Sequence, residues 1–115
     1  TTPLDVTDGI FFLKSDGAAT ISFIVEKDST QSTLTLPNSL ADDTFMSLGF
    51  VYDPKDQKFH VYQDNVLAGT VVNTNAPDDE ELTVSFGIQN GAAAAKTLSV
   101  DYVGAHKERT ANAEL

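Results

Sequence analysis

The sequence has no cysteine and no tryptophan, one methionine, two histidines and four prolines among its 115 residues. Without thiols, neither a disulfide nor a thiolate metal site can form. The compartment stays open, because cysteine-free proteins occur on both sides of a membrane. No apolar run approaches the ~20 residues of a membrane-spanning helix. A basic start followed by an apolar run, the pattern of a signal peptide, is not present. Basic residues are scarce: 7 Lys and Arg against 17 Asp and Glu, for a net charge of −10. Such a chain repels nucleic acid, whose binding needs cations to displace counterions. It also repels anionic membrane surfaces. No nucleic acid and no membrane are therefore expected among its partners. The charge serves solubility first. Docking on a basic protein surface and calcium binding are the sharper readings. The first residue is Thr1 rather than Met, which suits a processed or tagged product or part of something longer.

What the sequence does contain is strand formers. Hydrophobic residues make up 41%, with seven Phe and three Tyr beside many Val, Thr and Ile. That content excludes a wholly disordered chain, and the length suits one domain with a modest core. The most informative stretch is 45–72, read as three strands joined by two tight turns. In 45–52, Met46, Leu48, Phe50 and Tyr52 share one face, and Phe45, Ser47, Gly49 and Val51 share the other. Asp53-Pro54-Lys55-Asp56 is a turn, with φ preset by proline and Asp53 able to accept from the backbone beyond it. In 58–63, Phe59 and Val61 alternate with His60 and Tyr62. Asp64-Asn65 closes the second turn, since both residue types tolerate a left-handed backbone. A third strand follows over 66–72.

Upstream, 1–7 is an extended lead-in, with Pro3 suited to a sheet edge. Short strands are expected over 10–13, 20–27 and 31–36, with turns at Asp8-Gly9, Asp16-Gly17 and 28–30. In 20–27, Ile21, Phe23 and Val25 point one way, and Thr20, Ser22, Ile24 and Glu26 the other. Residues 38–44 are too few for a stable helix and read as a loop. Downstream of 72 comes a polar, acidic loop. Further strands are expected over 82–88 and 98–104, and the four alanines 92–95 read as a loop or strand edge. Residues 105–115 form a polar tail, or an arm that orders on a neighbouring subunit. About eight strands at spacings of ~8–12 residues predict an all-β fold, an antiparallel β-sandwich or jelly roll. Residues 1–104 would form that single domain.

Phe50-Val51-Tyr52-Asp53, then Phe59-His60-Val61-Tyr62-Gln63-Asp64-Asn65, and finally Val100-Asp101-Tyr102-Val103 carry a resemblance. Together they resemble the concanavalin A-like lectin/glucanase sandwich, including laminin-G-like domains. That family has a hairpin of the form strand, Tyr-Asp, turn, strand, Tyr-x-Asp-Gly; here Asn65 stands for the usual Gly. The resemblance covers about half of the chain. It implies the sandwich fold but no single function, because the fold hosts lectins, hydrolases and structural modules. Complete members are usually longer, which implies a trimmed fold or further strands upstream. In overall style, short, acidic, cysteine-free and polar-tailed, the chain is also similar to accessory proteins of tailed-phage particles, such as capsid decoration or cement proteins.

Site chemistry is sparse. The glucanase pattern needs alternating acids on one strand, and Glu26-Lys27-Asp28 offers two acids at a strand end, which suits a solvated end better. His60 and His106 are far apart in sequence, and neither a zinc pair nor a G-x-S-x-G nucleophile turn is present. Asp78-Asp79-Glu80-Glu81 could offer oxygens to calcium, but four consecutive acids lack the spacing of a calcium loop; Asp42-Asp43 offers less. Tyr52, Tyr62 and Tyr102 lie within strands, where core packing with hydroxyls at the rim suits them better than stacking on sugars. No catalytic, cofactor-binding or metal residue is therefore assigned. The expectation is a non-enzymatic structural or binding module in a virion or extracellular setting. It would act as a homo-oligomer through protein contacts with a capsid or other virion protein, an unpaired edge strand inviting completion. The alternative is a carbohydrate-binding, lectin-like module. A hydrolase remnant is the third option, and it predicts loss of activity in Glu26→Gln.

Overall fold

The computed structural model describes residues 7–15, 17–77, 99–100 and 103–104. The chain divides into two compact units, Thr1–Leu82 and Thr83–Leu115, and the six strands described all lie in the first. β1 (Gly9–Leu13), β2 (Ser22–Lys27) and β3 (Thr30–Thr35) form one antiparallel sheet in the order β1-β2-β3. β4 (Leu48–Asp53), β5 (Lys58–Gln63) and β6 (Val66–Val72) form a second, in the order β4-β5-β6. The all-β reading is borne out at this level. The strands expected over 82–88 and 98–104, the alanine run and the tail lie wholly or largely outside the described residues, as does Asp16.

The turns form where their chemistry asks for them. Asp64 and Asn65 have φ of 53° and 66°, the left-handed pair that matches the twist of a two-residue hairpin. Asp28 and Ser29 do the same between β2 and β3, at 49° and 64°. At the β4–β5 turn, Asp53 Oδ1 accepts from the Lys55 N–H at 2.9 Å, the local bond expected of aspartate before proline. β1 and β2 are joined less tightly, through residues 14–21, where Gly17 takes φ of 77°.

Three expectations need adjustment. The strand expected from residue 45 begins at Leu48. Ser47 is instead tied to the β5–β6 turn: its N–H donates to Asp64 Oδ1 at 3.0 Å, and its carbonyl accepts from Asp64 N–H at 2.8 Å. Asn73–Asn75, expected as plain loop, forms one turn of 3-10 helix. It is tied to both sheets, by Asn75 Nδ2 donating to Ser32 Oγ at 2.9 Å and Asn73 Nδ2 donating to Tyr52 Oη at 3.0 Å. Glu26 is not a solvated strand end: it is 5% exposed and accepts from Gln31 Nε2 at 3.0 Å. β2 is the central strand of its sheet, so its second face is crowded by cross-strand neighbours. Phe11 lies opposite Ile24 and Gln31 opposite Glu26. Period-two alternation alone does not register that crowding.

The two sheets share one apolar core. Phe23 and Val25 of β2, Phe59 and Val61 of β5, Val71 of β6, and Ile21 and Leu36 at the strand margins are all buried in it. Phe23 lies at the centre of an aromatic group, with ring centroids 5.2 Å from Phe12, 5.2 Å from Phe50 and 5.9 Å from Phe59. The sheets approach closely beside β6. A β-carbon at Gly69 would lie 3.0 Å from Leu34 Cδ2, so the Leu34 side chain would have to give way to admit one. Gly69→Val is therefore expected to cost about 1–3 kcal/mol through overpacking. Urea unfolding checks it, and Leu34→Val in the same chain should recover part of the loss. An unaltered urea midpoint in Gly69→Val would contradict the close approach.

Candidate functional site on the outer face of the second sheet

The pairing of β4, β5 and β6 decides what this sheet turns away from the core. Phe50, Val61 and Gly69 lie across from one another in register, as do Tyr52, Phe59 and Val71, and both rows face inward. The residues between them face outward in three rows. Gly49, Tyr62 and Leu67 form the first, Val51, His60 and Thr70 the second, and Asp53, Lys58 and Val72 the third. A β-bulge between Val61 and Tyr62 shifts the β6 partner by one residue, which brings Leu67 onto this face.

The face is more apolar than solvent contact requires. Val51, Leu67 and Val72 are 54%, 51% and 50% exposed. Tyr62 is half-buried among them. Tyr62 stands directly across from Leu67 and diagonal to Val51, at spacings of ~5–8 Å, whereas Val72 is set apart from them on the far side of Thr70.

At the Asp53 end of that face the structure gathers three ligating groups. Asp53, Asp56 and His60 each offer one donor atom, and these atoms all lie within 4.8 Å of one another. His60 Nε2 stands 4.0 Å from Asp53 Oδ2. The arrangement follows from the hairpin. Asp53 is opposite Lys58, so His60, two residues on, is its diagonal neighbour on the same face. The intervening turn then folds Asp56 back toward both.

Sequence spacing puts His60 on the face opposite Phe59 and Val61, with no second histidine near it for a zinc pair. The face is as expected; its companions are carboxylates that only the turn brings near. A signal was present in the sequence, an Asp at each end of a four-residue turn and a His two places into the next strand.

The other residues weighed as sites stay apart from this group. Glu26 is buried while Asp28 is exposed, and the Asp28 backbone N–H donates to Asp8 Oδ1 at 3.0 Å. This is not a pair of carboxylates facing a common substrate. Asp42 and Asp43 are exposed on the loop before β4. Tyr52 packs its ring 4.8 Å from Phe59 and accepts at its hydroxyl from Asn73, the rim placement expected of it. Tyr62 instead faces outward. Asp78, Asp79, Glu80, Glu81, Tyr102 and His106 lie outside the described residues. Among the described residues no helix is long and apolar enough to cross a membrane.

Compared with protein-family models, with curated proteins and with solved structures, the chain matches none. Its functional reading rests on the residues of this face.

Proposed function

We propose that the protein is a non-enzymatic module that works by protein–protein contact, its two sheets being halves of an antiparallel β-sandwich of jelly-roll type. The setting proposed is a tailed-phage particle, where it would sit as a decoration or cement-type accessory protein and associate with copies of itself. The observation that carries the contact reading is that Val51, Leu67 and Val72, each about half exposed, all stand on the outward face of one sheet. A sheet face that exposes several large apolar side chains among polar ones supports contact with another protein. The virion setting is supported by the short, acidic, cysteine-free style of the chain.

Light scattering after size exclusion tests the contact. The intact chain is expected to run as an oligomer and to bind assembled shells, and Leu67→Asp is expected to reduce it to monomer without changing its circular dichroism. A monomeric intact chain that ignores assembled shells would overturn the reading.

The alternative reading, a carbohydrate-binding module, is favoured by one feature: the Tyr62 ring stands on the outward face. A glycan array, run with and without calcium, separates the two. A reproducible hit lost in Tyr62→Ala would favour the sugar reading.

A further inference from the structure

We propose that Asp53, Asp56 and His60 bind a divalent transition cation of the zinc class at the Asp53 end of the outer face. The site stands independently of the protein-contact reading.

The donor set is one imidazole nitrogen and two carboxylates drawn from a single hairpin. Imidazole with carboxylate suits zinc and its neighbours. Calcium and magnesium take oxygen ligands and gain little from a ring nitrogen. Zinc bonds to nitrogen and oxygen run ~2.0–2.2 Å, so tetrahedral donors would stand about 3.4 Å apart. The three donor atoms lie within 4.8 Å, with the His60–Asp53 pair at 4.0 Å. The set therefore needs a contraction of about 1 Å to close on an ion. Asp56 is exposed on the turn, where side-chain rotation can supply it.

Asp53 is already oriented for the task. Its Oδ1 is held by the Lys55 N–H at 2.9 Å, which leaves Oδ2 turned toward His60. Hydrogen bonds behind a ligating group commonly fix its direction in this way. Lys58 stands directly across from Asp53, yet among the described residues neither it nor Lys55 comes within ion-pair distance of Asp53 or Asp56, and Asp53–His60 is the one ion-pair contact of the group. A cation would relieve the repulsion between the carboxylates. Three protein ligands leave further positions for water or for a donor from another molecule.

The experiment is calorimetric titration of the intact chain with zinc chloride, repeated on His60→Ala, Asp56→Asn and His106→Ala. The expected result is one saturable site whose affinity falls at least ~10-fold in the first two variants and is unchanged in the third. Calcium chloride in place of zinc should bind at least ~10-fold more weakly. Because Asp56 is an exposed turn residue, Asp56→Asn keeps the test decisive if His60→Ala does not fold. No saturable binding, zinc affinity unchanged in Asp56→Asn, or loss of binding in His106→Ala would each overturn the proposal.

Discussion

Phe23→Ala is expected to destabilise the protein by about 3–5 kcal/mol, the range for truncating a buried aromatic. Phe23 has no exposed surface and touches the rings of Phe12, Phe50 and Phe59. The four rings lie on four different strands: Phe12 on β1, Phe23 on β2, Phe50 on β4 and Phe59 on β5. Removing the ring at the centre deletes contacts within one sheet and between the two sheets at once. The surrounding rings cannot collapse into the space without pulling strands out of register, so most of the cavity should persist. Small domains have ~5–15 kcal/mol in all, so the variant should lose a large share of its stability and melt well below the parent. Thermal melting followed by circular dichroism checks this, with Thr33→Ala on the exposed side of β3 as the control. A Phe23→Ala melt superimposable on the parent's would show that the ring is not central to the core.

Gln63→Met is expected to cost about 2–3 kcal/mol although it keeps the volume and adds apolar surface. Gln63 is 1% exposed, the largest buried uncharged polar side chain of the second sheet. Its amide makes a two-way clamp on one residue. Nε2 donates to the Asn38 carbonyl at 2.9 Å, and Oε1 accepts from the Asn38 N–H at 3.1 Å. Nε2 also lies 3.0 Å from Met46 Sδ. Asn38 belongs to the loop that carries the chain from the first sheet to the second, where few backbone bonds are available. With a thioether in place of the amide, both Asn38 backbone groups lose their partner beside the core, and the desolvation penalty is felt. Gln63→Glu should not rescue the loss, because a carboxylate cannot donate to the carbonyl and would bring a charge into the core. Urea unfolding would separate these outcomes. Equal midpoints for parent and Gln63→Met would mean that water replaces the clamp at no cost.

Both cases show where pattern reading reaches and where it stops. The inward set of β5, Phe59 and Val61, was legible from alternation alone, and so was Phe23 on β2. Gln63 continues the inward row of β5, but a polar residue at an inward position gives no hint of its partner when that partner is 25 positions away. The same holds for Glu26. Its solvated appearance came from its own charge and its place near a turn, while its burial came from Gln31 across the ladder. The metal-type group is an intermediate case. Alternation sets His60 apart from Phe59 and Val61 and turn chemistry puts Asp53 in the turn, yet their proximity depends on the hairpin register and on the return of the turn at Asp56.

What the sequence determined by itself is therefore local: a chain of short antiparallel strands, the left-handed turns at Asp64-Asn65, the aspartate turn before Pro54, and the inward faces of β2, β4 and β5. These follow from side-chain size, φ preference and period two, which act within a few residues. The tertiary structure decided what depends on distant segments coming together: the burial of Glu26 and Gln63, the close approach at Gly69, the outward exposure of Val51, Leu67 and Val72, and the convergence of Asp53, Asp56 and His60. Register and sheet-to-sheet packing set those distances, and neither is written in the chemistry of any single stretch.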